Sequence, residues 1–256
     1  MKGKFIVITG SSSGIGKRLF ETLSKENTVV GLCRSGGENA IVCDISSIEA
    51  IDSAVEQIRK MTSRVDVLIN NAGYGLTGAC ELLSDEAIKH IFDVDEMGAI
   101  YLTKRLLPLM DKGSKVVNIT SACALFPLPY RTMYCASKAG MHMYSLGLKM
   151  EVEPFGIDVT SVCPGDVKTP FTVNRLHEYP QSERYGDRIR KADEKVASRN
   201  DKRMDEKKVC DKILGIIDKR KYKPFYIVGA KYHVFWFFKK ILPDRTFTWF
   251  IKKFAS

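Results

Sequence analysis

The chain has 256 residues and a formal net charge of +10, and 45% of its residues are hydrophobic. This length suits one α/β domain with a sizeable core, and no stretch approaches the roughly 20 apolar residues that a membrane-spanning helix needs. The seven cysteines are scattered with no Cys-x-x-Cys pair, which disfavours a zinc site or a disulfide framework and is typical of a reduced, cytoplasmic protein.

The first predicted strand, residues 5–8, is an apolar run that leads directly into a glycine-rich turn. No signal peptide is expected before it. Gly10, Gly14 and Gly16 punctuate the turn, and a helical period begins near Leu19. Glycines let the backbone approach a pyrophosphate, and the free N–H groups of a helix N-terminus attract the anion. The pattern predicts a phosphate cradle, with a turn that binds no ligand as the alternative.

A second strand is predicted over residues 28–33, and Arg34 follows its end. In a dinucleotide-binding fold this position meets the adenosine ribose, where an acid accepts from the 2′-OH and a cation suits a 2′-phosphate. No acid stands at positions 32, 33 or 34. The sequence therefore favours NADP(H) over NAD(H), and a solvated loop arginine is the alternative.

Strands and helices continue to alternate along the chain. The further predicted strands cover residues 40–43, 65–69, 115–120, 157–163 and 224–228. The further predicted helices cover residues 46–61, 84–110, 131–153 and 209–217. This alternation predicts an α/β fold with a doubly wound parallel sheet.

The segment 172–208 is highly charged and holds few large apolar side chains. It is predicted either to form solvated helices or a mobile loop, or to form a lid that closes over a substrate.

Tyr134 and Lys138 stand four residues apart on one face of a predicted helix. A lysine cation beside a phenol favours the phenolate, so we expect the pKa of Tyr134 to fall below its usual value of about 10. Such a tyrosine exchanges a proton with an alcohol or ketone near neutral pH. Ser121, at the end of a predicted strand, can hydrogen-bond the same oxygen.

Taken together, these motifs resemble the short-chain dehydrogenases/reductases of the classical type. The motifs that carry the resemblance lie in order over residues 4–170: Thr9-Gly10-x3-Gly14-Ile15-Gly16, Asp44, Asn71-Ala72-Gly73, Ser121, Tyr134-x3-Lys138, and Pro164-Gly165 with Thr169. The resemblance implies a Rossmann-type domain, a nicotinamide cofactor, and Ser121, Tyr134 and Lys138 as the catalytic residues.

The same resemblance implies where the cofactor binds. The glycine turn would hold the pyrophosphate, Asp44 would meet the adenine, and Asn71 would line the cofactor cleft. Lys138 would bind the nicotinamide ribose, and Val167 and Thr169 would contact the carboxamide. The full set of expected cofactor-binding residues is Gly10, Ser12, Ser13, Gly14, Ile15, Gly16, Arg34, Asp44, Ile45, Asn71, Ala72, Gly73, Tyr134, Lys138, Pro164, Gly165, Val167 and Thr169.

Asp95 departs from the family pattern. The family has an asparagine here, in a pattern like Asp-Val-Asn-x-x-Gly, and that residue helps to hold a water that relays protons to the lysine. An aspartate lacks the amide donor and can add a charge. We therefore expect activity that this residue slows rather than abolishes. A nucleotide-binding sensor with weak catalysis is the alternative from another class of protein.

The C-terminal part is basic and aromatic. Residues 219–256 contain ten Lys or Arg and one acid, so they carry nine of the ten units of net charge, together with both tryptophans. Phe247, Phe250, Ile251 and Phe254 fall on one helical face. Such a segment can lie in a membrane interface, or pack on the protein's own pocket or on a dimer partner. Its density of apolar residues disfavours a nucleic-acid partner.

We therefore expect one nucleotide-binding domain over residues 1–229, followed by the segment 230–256. The ending of the chain is similar to reductases near the 17-beta-hydroxysteroid and retinol dehydrogenases, and it lacks the Val-Asp-Gly-Gly-like tail of carrier-protein ketoacyl reductases. The apolar loop 124–128 fits either a pocket for an apolar substrate or ordinary core packing.

The sequence as a whole predicts an NADP(H)-dependent oxidoreductase that interconverts an apolar ketone and a secondary alcohol on a steroid-, retinoid- or lipid-like substrate. A carrier-linked 3-ketoacyl reductase is the alternative. The resemblance also implies a homodimer or homotetramer. We expect it in the cytoplasm or peripheral at a membrane surface.

Overall fold

The computed structural model describes residues 1–172, 174–198 and 203–255, and the side chains of residues 254 and 255 lie outside the described part. Its strands, in chain order, are β1 (Phe5–Thr9), β2 (Thr28–Cys33), β3 (Ala40–Val42), β4 (Val67–Asn70), β5 (Leu76–Thr77), β6 (Lys115–Ile119), β7 (Asp158–Pro164), β8 (Leu176–His177) and β9 (Phe225–Val228). Seven of them form one parallel sheet in the order β3-β2-β1-β4-β6-β7-β9, and β5 pairs with β8.

Helices cover both faces of the sheet. In chain order they are α1 (Gly14–Leu23), α2 (Ile48–Met61), α3 (Asp85–Phe92), α4 (Gly98–Leu106), α5 (Thr132–Val152), α6 (Arg188–Ala197), α7 (Glu206–Ile217), α8 (Ala230–Ile241) and α9 (Asp244–Ala255). The predicted single α/β domain with a doubly wound parallel sheet is confirmed.

The inner strand β1 shows why these residues form the sheet. Ile6, Val7 and Ile8 are fully buried, as a strand covered on both faces requires. Val7 packs on one face with α2, α4 and α5, whereas Ile6 and Ile8 pack on the other with α1 and α7. Because successive side chains of a strand point to opposite faces, one apolar run serves both halves of the core.

The long helical pattern predicted over residues 84–110 is confirmed, with one local departure from α-helical geometry. The helix α3 ends at Phe92, a π-helical turn covers Asp93–Met97, and α4 follows. The wider turn contains the buried Asp95, and π turns of this kind frequently occur at functional sites. Beyond α4, Pro108 lies in a short 3₁₀ turn, because proline offers no N–H to a continuing α-helix.

The charged segment is fixed to the body of the protein at several points. Its short strand β8 pairs in parallel with β5. Glu178 Oε2 accepts a hydrogen bond of 2.8 Å from Ser84 N, and Ser84 caps α3. Asp193 on α6 forms an ion pair with Arg131, which stands just before α5. These contacts hold the described part of 172–208 against α3 and α5.

The helices α8 and α9 form a tail hairpin that packs on the residues after Ser121. Phe247 and Ile251 are buried against Leu125 and Phe126. The side chain of Phe254, expected on the same face, lies outside the described residues. The loop 124–128 thus packs into this aromatic core.

On its outer side the tail hairpin exposes large apolar residues, among them Phe237 (59% exposed) and Trp249 (62%). Within the described residues, none of the helices combines the length and the hydropathy that crossing a bilayer would require.

If α9 is part of the folded core, Phe247→Ala should lower the free energy of unfolding by roughly 3–5 kcal/mol, because it removes a fully buried ring. Trp249→Ala on the same helix is the matched control, and it should change stability by less than about 0.5 kcal/mol. Chemical denaturation measures both. Equal effects of the two substitutions would contradict the packing of α9.

Candidate active site

A cleft of about 510 Å³ lies at the carboxyl ends of β1, β4, β6 and β7, which is where open α/β sheets bind their ligands. The predicted site residues that line it are Gly10, Ser12, Ser13, Gly14, Ile15, Arg34, Asp44, Ile45, Asn71, Ala72, Gly73, Ser121, Tyr134, Lys138, Pro164, Gly165, Val167 and Thr169. Gly16 lies beneath the turn instead.

The glycine turn is held by contacts that only glycine allows. Gly10 has a φ of +68°, and a Cβ there would lie 2.9 Å from Ala72 Cα. A Cβ on Gly16 would lie 2.2 Å from Gly10 O and 2.4 Å from Asn71 Nδ2. The absence of side chains at Gly10 and Gly16 lets the turn pack closely against the loop that contains Asn71 and Ala72. The helix α1, which begins at Gly14, therefore starts at the cleft. Its first N–H groups are placed where an anion could bind.

The turn after β4 is tied to the glycine turn. Thr9 Oγ1 accepts hydrogen bonds of 2.9 Å from both Asn71 N and Ala72 N. In return, Asn71 Nδ2 donates to Thr9 O (3.1 Å) and Gly10 O (3.3 Å). The Asn71 amide therefore joins two loops of the cleft.

Arg34 and Asp44 stand together at the end of the cleft that follows β2 and β3. Burial acts to raise the pKa of Asp44, but hydrogen bonds from Ser46 and the charge of Arg34 hold it below its usual value. Asp44 Oδ1 accepts from Ser46 N at 2.9 Å and from Ser46 Oγ at 2.7 Å. The Arg34 side chain is exposed at the rim of the cleft, in reach of an anionic ligand.

The predicted catalytic side chains meet at the other end. Ser121 follows β6, and Tyr134 and Lys138 lie on α5; all three are buried. Ser121 forms a hydrogen bond with the phenol of Tyr134 and accepts another from Cys123 N at 3.1 Å. Lys138 Nζ lies 5.9 Å from the centre of the Tyr134 ring.

Asp95 forms a buried ion pair with Lys138. Its Oδ2 lies 3.0 Å from Lys138 Nζ, and its Oδ1 accepts a hydrogen bond of 2.9 Å from Tyr74 N. Burial raises the pKa of Asp95, and the Lys138 cation opposes that rise. Gly73 covers the pair, since a Cβ there would lie 2.9 Å from Lys138 Nζ.

The prediction of a lowered pKa for Tyr134 is wrong. Burial raises that pKa well above 10, and electrostatic repulsion from Cys123 and Asp95 adds to the rise, against the hydrogen bond from Ser121. The cation expected to stabilise the phenolate is paired with Asp95. Tyr134 is therefore a neutral phenol at physiological pH, suited to donating a proton to a carbonyl oxygen.

Other residues of the cleft escaped the sequence analysis. Among them are Tyr74, His90, Cys123, Arg131, Asp166, Phe171, Arg175, Leu176 and Arg203. Arg131 stands one helical turn before Tyr134, which was a usable signal. Arg175 and Arg203 lie in the charged segment, where no periodicity separates a cleft residue from a solvated one.

Leu125 and Phe126 are absent from the described lining of the cleft, so the loop 124–128 fits the core-packing alternative.

A nicotinamide dinucleotide reduces a carbonyl when a proton donor stands beside the carbonyl oxygen and a second site in the same cleft binds the dinucleotide's phosphates. In this cleft Tyr134 is the proton donor, and the glycine turn with the start of α1 is the phosphate site. This combination defines an oxidoreductase of the dinucleotide-binding class. The family model described as short chain dehydrogenase matches residues 4–180, and the chain belongs to this family.

Individual relatives agree with the family. The chain is 40% identical over 183 residues to the 3-ketodihydrosphingosine reductase of Bacteroides thetaiotaomicron, a match that covers 68% of each chain. It is 34% identical over 200 residues to the ketoacyl reductase HetN of Nostoc sp., covering 71% of this chain and 70% of that one. A short-chain dehydrogenase from Streptomyces avermitilis superposes with a TM-score of 0.82 at 27% identity, covering 94% and 93%.

If Asp95 raises the pKa of Tyr134, the substitution Asp95→Asn should lower it. Alcohol oxidation needs the phenolate and is gained as pH rises through this pKa, so its pH–rate profile should move to lower pH. Ketone reduction needs the phenol, so its loss at high pH should also move to lower pH, and turnover at neutral pH should rise.

The matched control is Asp93→Asn, which removes a carboxylate from the same turn that pairs with Lys89. It should leave both profiles in place. A profile of Asp95→Asn that coincides with the wild-type profile would show that Asp95 does not act on Tyr134.

Proposed function

We propose that the protein reduces the ketone of a long-chain lipid to a secondary alcohol, with NADP(H) as its cofactor. The observation that carries this proposal is the buried Tyr134, whose raised pKa keeps it protonated beside Ser121. The neutral phenol is the form that ketone reduction needs, because it can give a proton to the carbonyl oxygen, whereas alcohol oxidation needs the phenolate.

The residues of the cleft fit the cofactor. The glycine turn and the start of α1 would hold the pyrophosphate, Asp44 would hold the adenine, and Arg34 would pair with a 2′-phosphate. Lys138 would bind the nicotinamide ribose. When bound, the nicotinamide supplies the hydride.

The protein's own residues supply the proton and the orientation. Ser121 and Tyr134 would both hydrogen-bond the carbonyl oxygen, which orients the ketone and lets Tyr134 transfer its proton as the alcohol forms. Lys138 and Asp95 stand behind Tyr134 as the next groups that can carry a proton. The described part of 172–208, held to α5 by Asp193, would close the cleft over the substrate and exclude water.

A long-chain substrate is supported by two observations. The relatives named above are reductases of a ketosphingoid base and of ketoacyl groups, and both names describe ketones on lipid chains. Beside Tyr134 the cleft is lined by Tyr74, Phe171 and Leu176, which can pack along an alkyl chain. Steroid and retinoid ketones, which the resemblance of the chain's ending implies, belong in the same test.

The test follows cofactor oxidation by the purified protein with NADPH or NADH and a panel of lipid, steroid and retinoid ketones. We expect NADPH-dependent reduction of a long-chain 3-ketone. Tyr134→Phe should lower kcat by roughly 10²–10⁴-fold while NADPH still binds. Arg34→Ala should raise the KM for NADPH roughly 10- to 100-fold and leave the KM for NADH nearly unchanged.

Turnover of Tyr134→Phe at the wild-type rate would contradict the catalytic role of the phenol. A wild-type preference for NADH would contradict the role of Arg34. NADPH binding without turnover of any ketone would favour the nucleotide-binding sensor.

We further propose that the tail hairpin binds an anionic membrane surface. Val234, Phe237, Ile241 and Trp249 expose more than half of their surface on its outer side. Cations surround them: Lys240 stacks on Trp236 and Lys253 stacks on Trp249. Exposed aromatic residues framed by lysines suit the headgroup region of an acidic bilayer.

Self-association into a dimer or tetramer is a further proposal, which the exposed Met143 and Met150 on α5 support.

Flotation with vesicles of phosphatidylcholine and phosphatidylserine measures the membrane binding. The double variant Phe237→Ser/Trp249→Ser should bind at least about tenfold more weakly, because it removes two exposed rings from the interface. The control Met61→Gln changes an exposed apolar residue at the end of α2 and should bind as the wild type does. Equal flotation of all three proteins would refute the proposal.

A further inference from the structure

Two arginines line the cleft close to Tyr134, away from the residues expected to bind the cofactor. Arg131 stands just before α5, one turn before Tyr134, and Arg175 lies in the charged segment just before β8. The Arg131 and Arg175 side chains are only 9% and 10% exposed. Buried guanidinium groups normally have enough anionic partners to offset the cost of desolvation.

These two arginines share a single acid. Arg131 Nη2 and Arg175 Nη1 each lie 3.3 Å from the same Oδ1 atom of Asp193. The other oxygen of Asp193 accepts from Tyr179 Oη at 2.8 Å and lies 3.3 Å from His177 Nδ1. The carboxylate is thus surrounded by donors, and one negative charge faces two guanidinium groups that remain protonated in proteins.

The other acids that line the cleft do not restore the balance. Asp44 lies beside Arg34 at the adenosine end. Asp166 feels the charge of Arg131 but is already paired with Lys231 at 3.3 Å. The part of the cleft around Arg131 and Arg175 therefore keeps an excess of positive charge.

The arginines also keep hydrogen-bonding capacity. Within the described residues, each guanidinium makes one side-chain hydrogen bond, although it carries five N–H groups. Guanidinium groups with several N–H donors to spare, in a wall that faces the cleft, can bind a carboxylate or a phosphate through two parallel hydrogen bonds.

Their position relates this charge to the reaction. Arg175 and Phe171 pack side by side over Gly75, where a Cβ would lie 2.9 Å from Arg175 Nε and 3.3 Å from Phe171 Cε1. The Phe171 ring in turn lies 5.9 Å from the ring of Tyr134. An acidic group close to the reacting ketone can therefore reach Arg175 while the carbonyl contacts Tyr134.

We propose that Arg131 and Arg175 form an anion-binding subsite for a carboxylate or phosphate carried by the keto substrate. This inference rests on the proposed ketone reduction and narrows its substrate class. An acidic ketoacyl substrate fits the subsite. A 2-amino-3-ketone, which carries a cation next to the carbonyl, meets like charge there and is disfavoured.

The first experiment compares kcat and KM for three long-chain 3-ketones of equal chain length: the free 3-keto acid, its methyl ester, and the 2-amino-3-ketone. They are anionic, neutral and cationic close to the carbonyl. We expect wild-type kcat/KM to be highest for the keto acid. Arg175→Gln should raise the KM for the keto acid roughly 10- to 100-fold, change the methyl ester little, and improve the cationic ketone. Arg175→Lys should restore part of the loss, because it keeps the charge.

The matched control is Arg184→Gln, which removes an exposed arginine of the same segment that pairs with Glu81. It should leave all three substrates unchanged. An equal loss on all three ketones in Arg175→Gln, or a wild-type preference for the cationic ketone, would overturn the proposal. Circular dichroism and NADPH binding verify that each variant is folded, and Arg131→Gln provides a second variant of the subsite.

A second experiment separates this inference from the proposed function. Isothermal titration calorimetry measures the binding of octanoate, octanol and octylamine without any turnover. If no ketone is reduced but octanoate binds more tightly than octanol and octylamine, and loses this advantage in Arg175→Gln, the subsite stands and the proposed function fails. Equal binding of the three probes would refute the subsite.

Discussion

The hydroxyl of Thr9 holds the centre of the cleft together. Thr9 ends β1, and its hydroxyl accepts hydrogen bonds from two consecutive N–H groups of the loop after β4. Through Asn71 that loop returns two hydrogen bonds to the glycine turn. Two neighbouring strands of a parallel sheet end side by side, and their loops would otherwise carry unpaired buried polar groups. The exchange of hydrogen bonds pairs these polar groups and fixes the positions of the glycine turn and the loop after β4, which line the cleft between its two ends.

The fold could be predicted from the sequence because its signals are local. The apolar run 5–8, the glycine turn after it and the repeated alternation of strands and helices each follow from patterns within about 20 residues. The boundaries of β2 agree with the prediction. The π-helical turn at Asp93–Met97 was not predicted, and neither was the ion pair of its Asp95 with Lys138, because the two residues are far apart in sequence.

In the candidate site, too, the features that follow from local sequence patterns were predicted and those that depend on tertiary contacts were not. Residues in motifs of fixed spacing, such as Tyr134 and Lys138, were found, and the structure brings them to one cleft. The protonation state of Tyr134 was not found, since it depends on burial and on Asp95, which a helical spacing does not reveal. Arg131 and Arg175 were missed for a related reason. A charged residue looks the same in a sequence whether it faces the solvent or a cleft, and only its tertiary partner Asp193 distinguishes the two cases.

The contact between the tail hairpin and the loop after β7 has a consequence of its own. Asp166 N donates a hydrogen bond of 2.8 Å to Tyr232 Oη, and the ring of Tyr232 fills the space that a Cβ on Gly165 would need. A displacement of α8 must therefore disturb the loop that borders the cofactor end of the cleft. Two binding equilibria that share such a contact are thermodynamically linked. Any change that binding at the tail makes in the free energy of ligand binding in the cleft must equal, in size and sign, the change that ligand binding in the cleft makes in the free energy of binding at the tail.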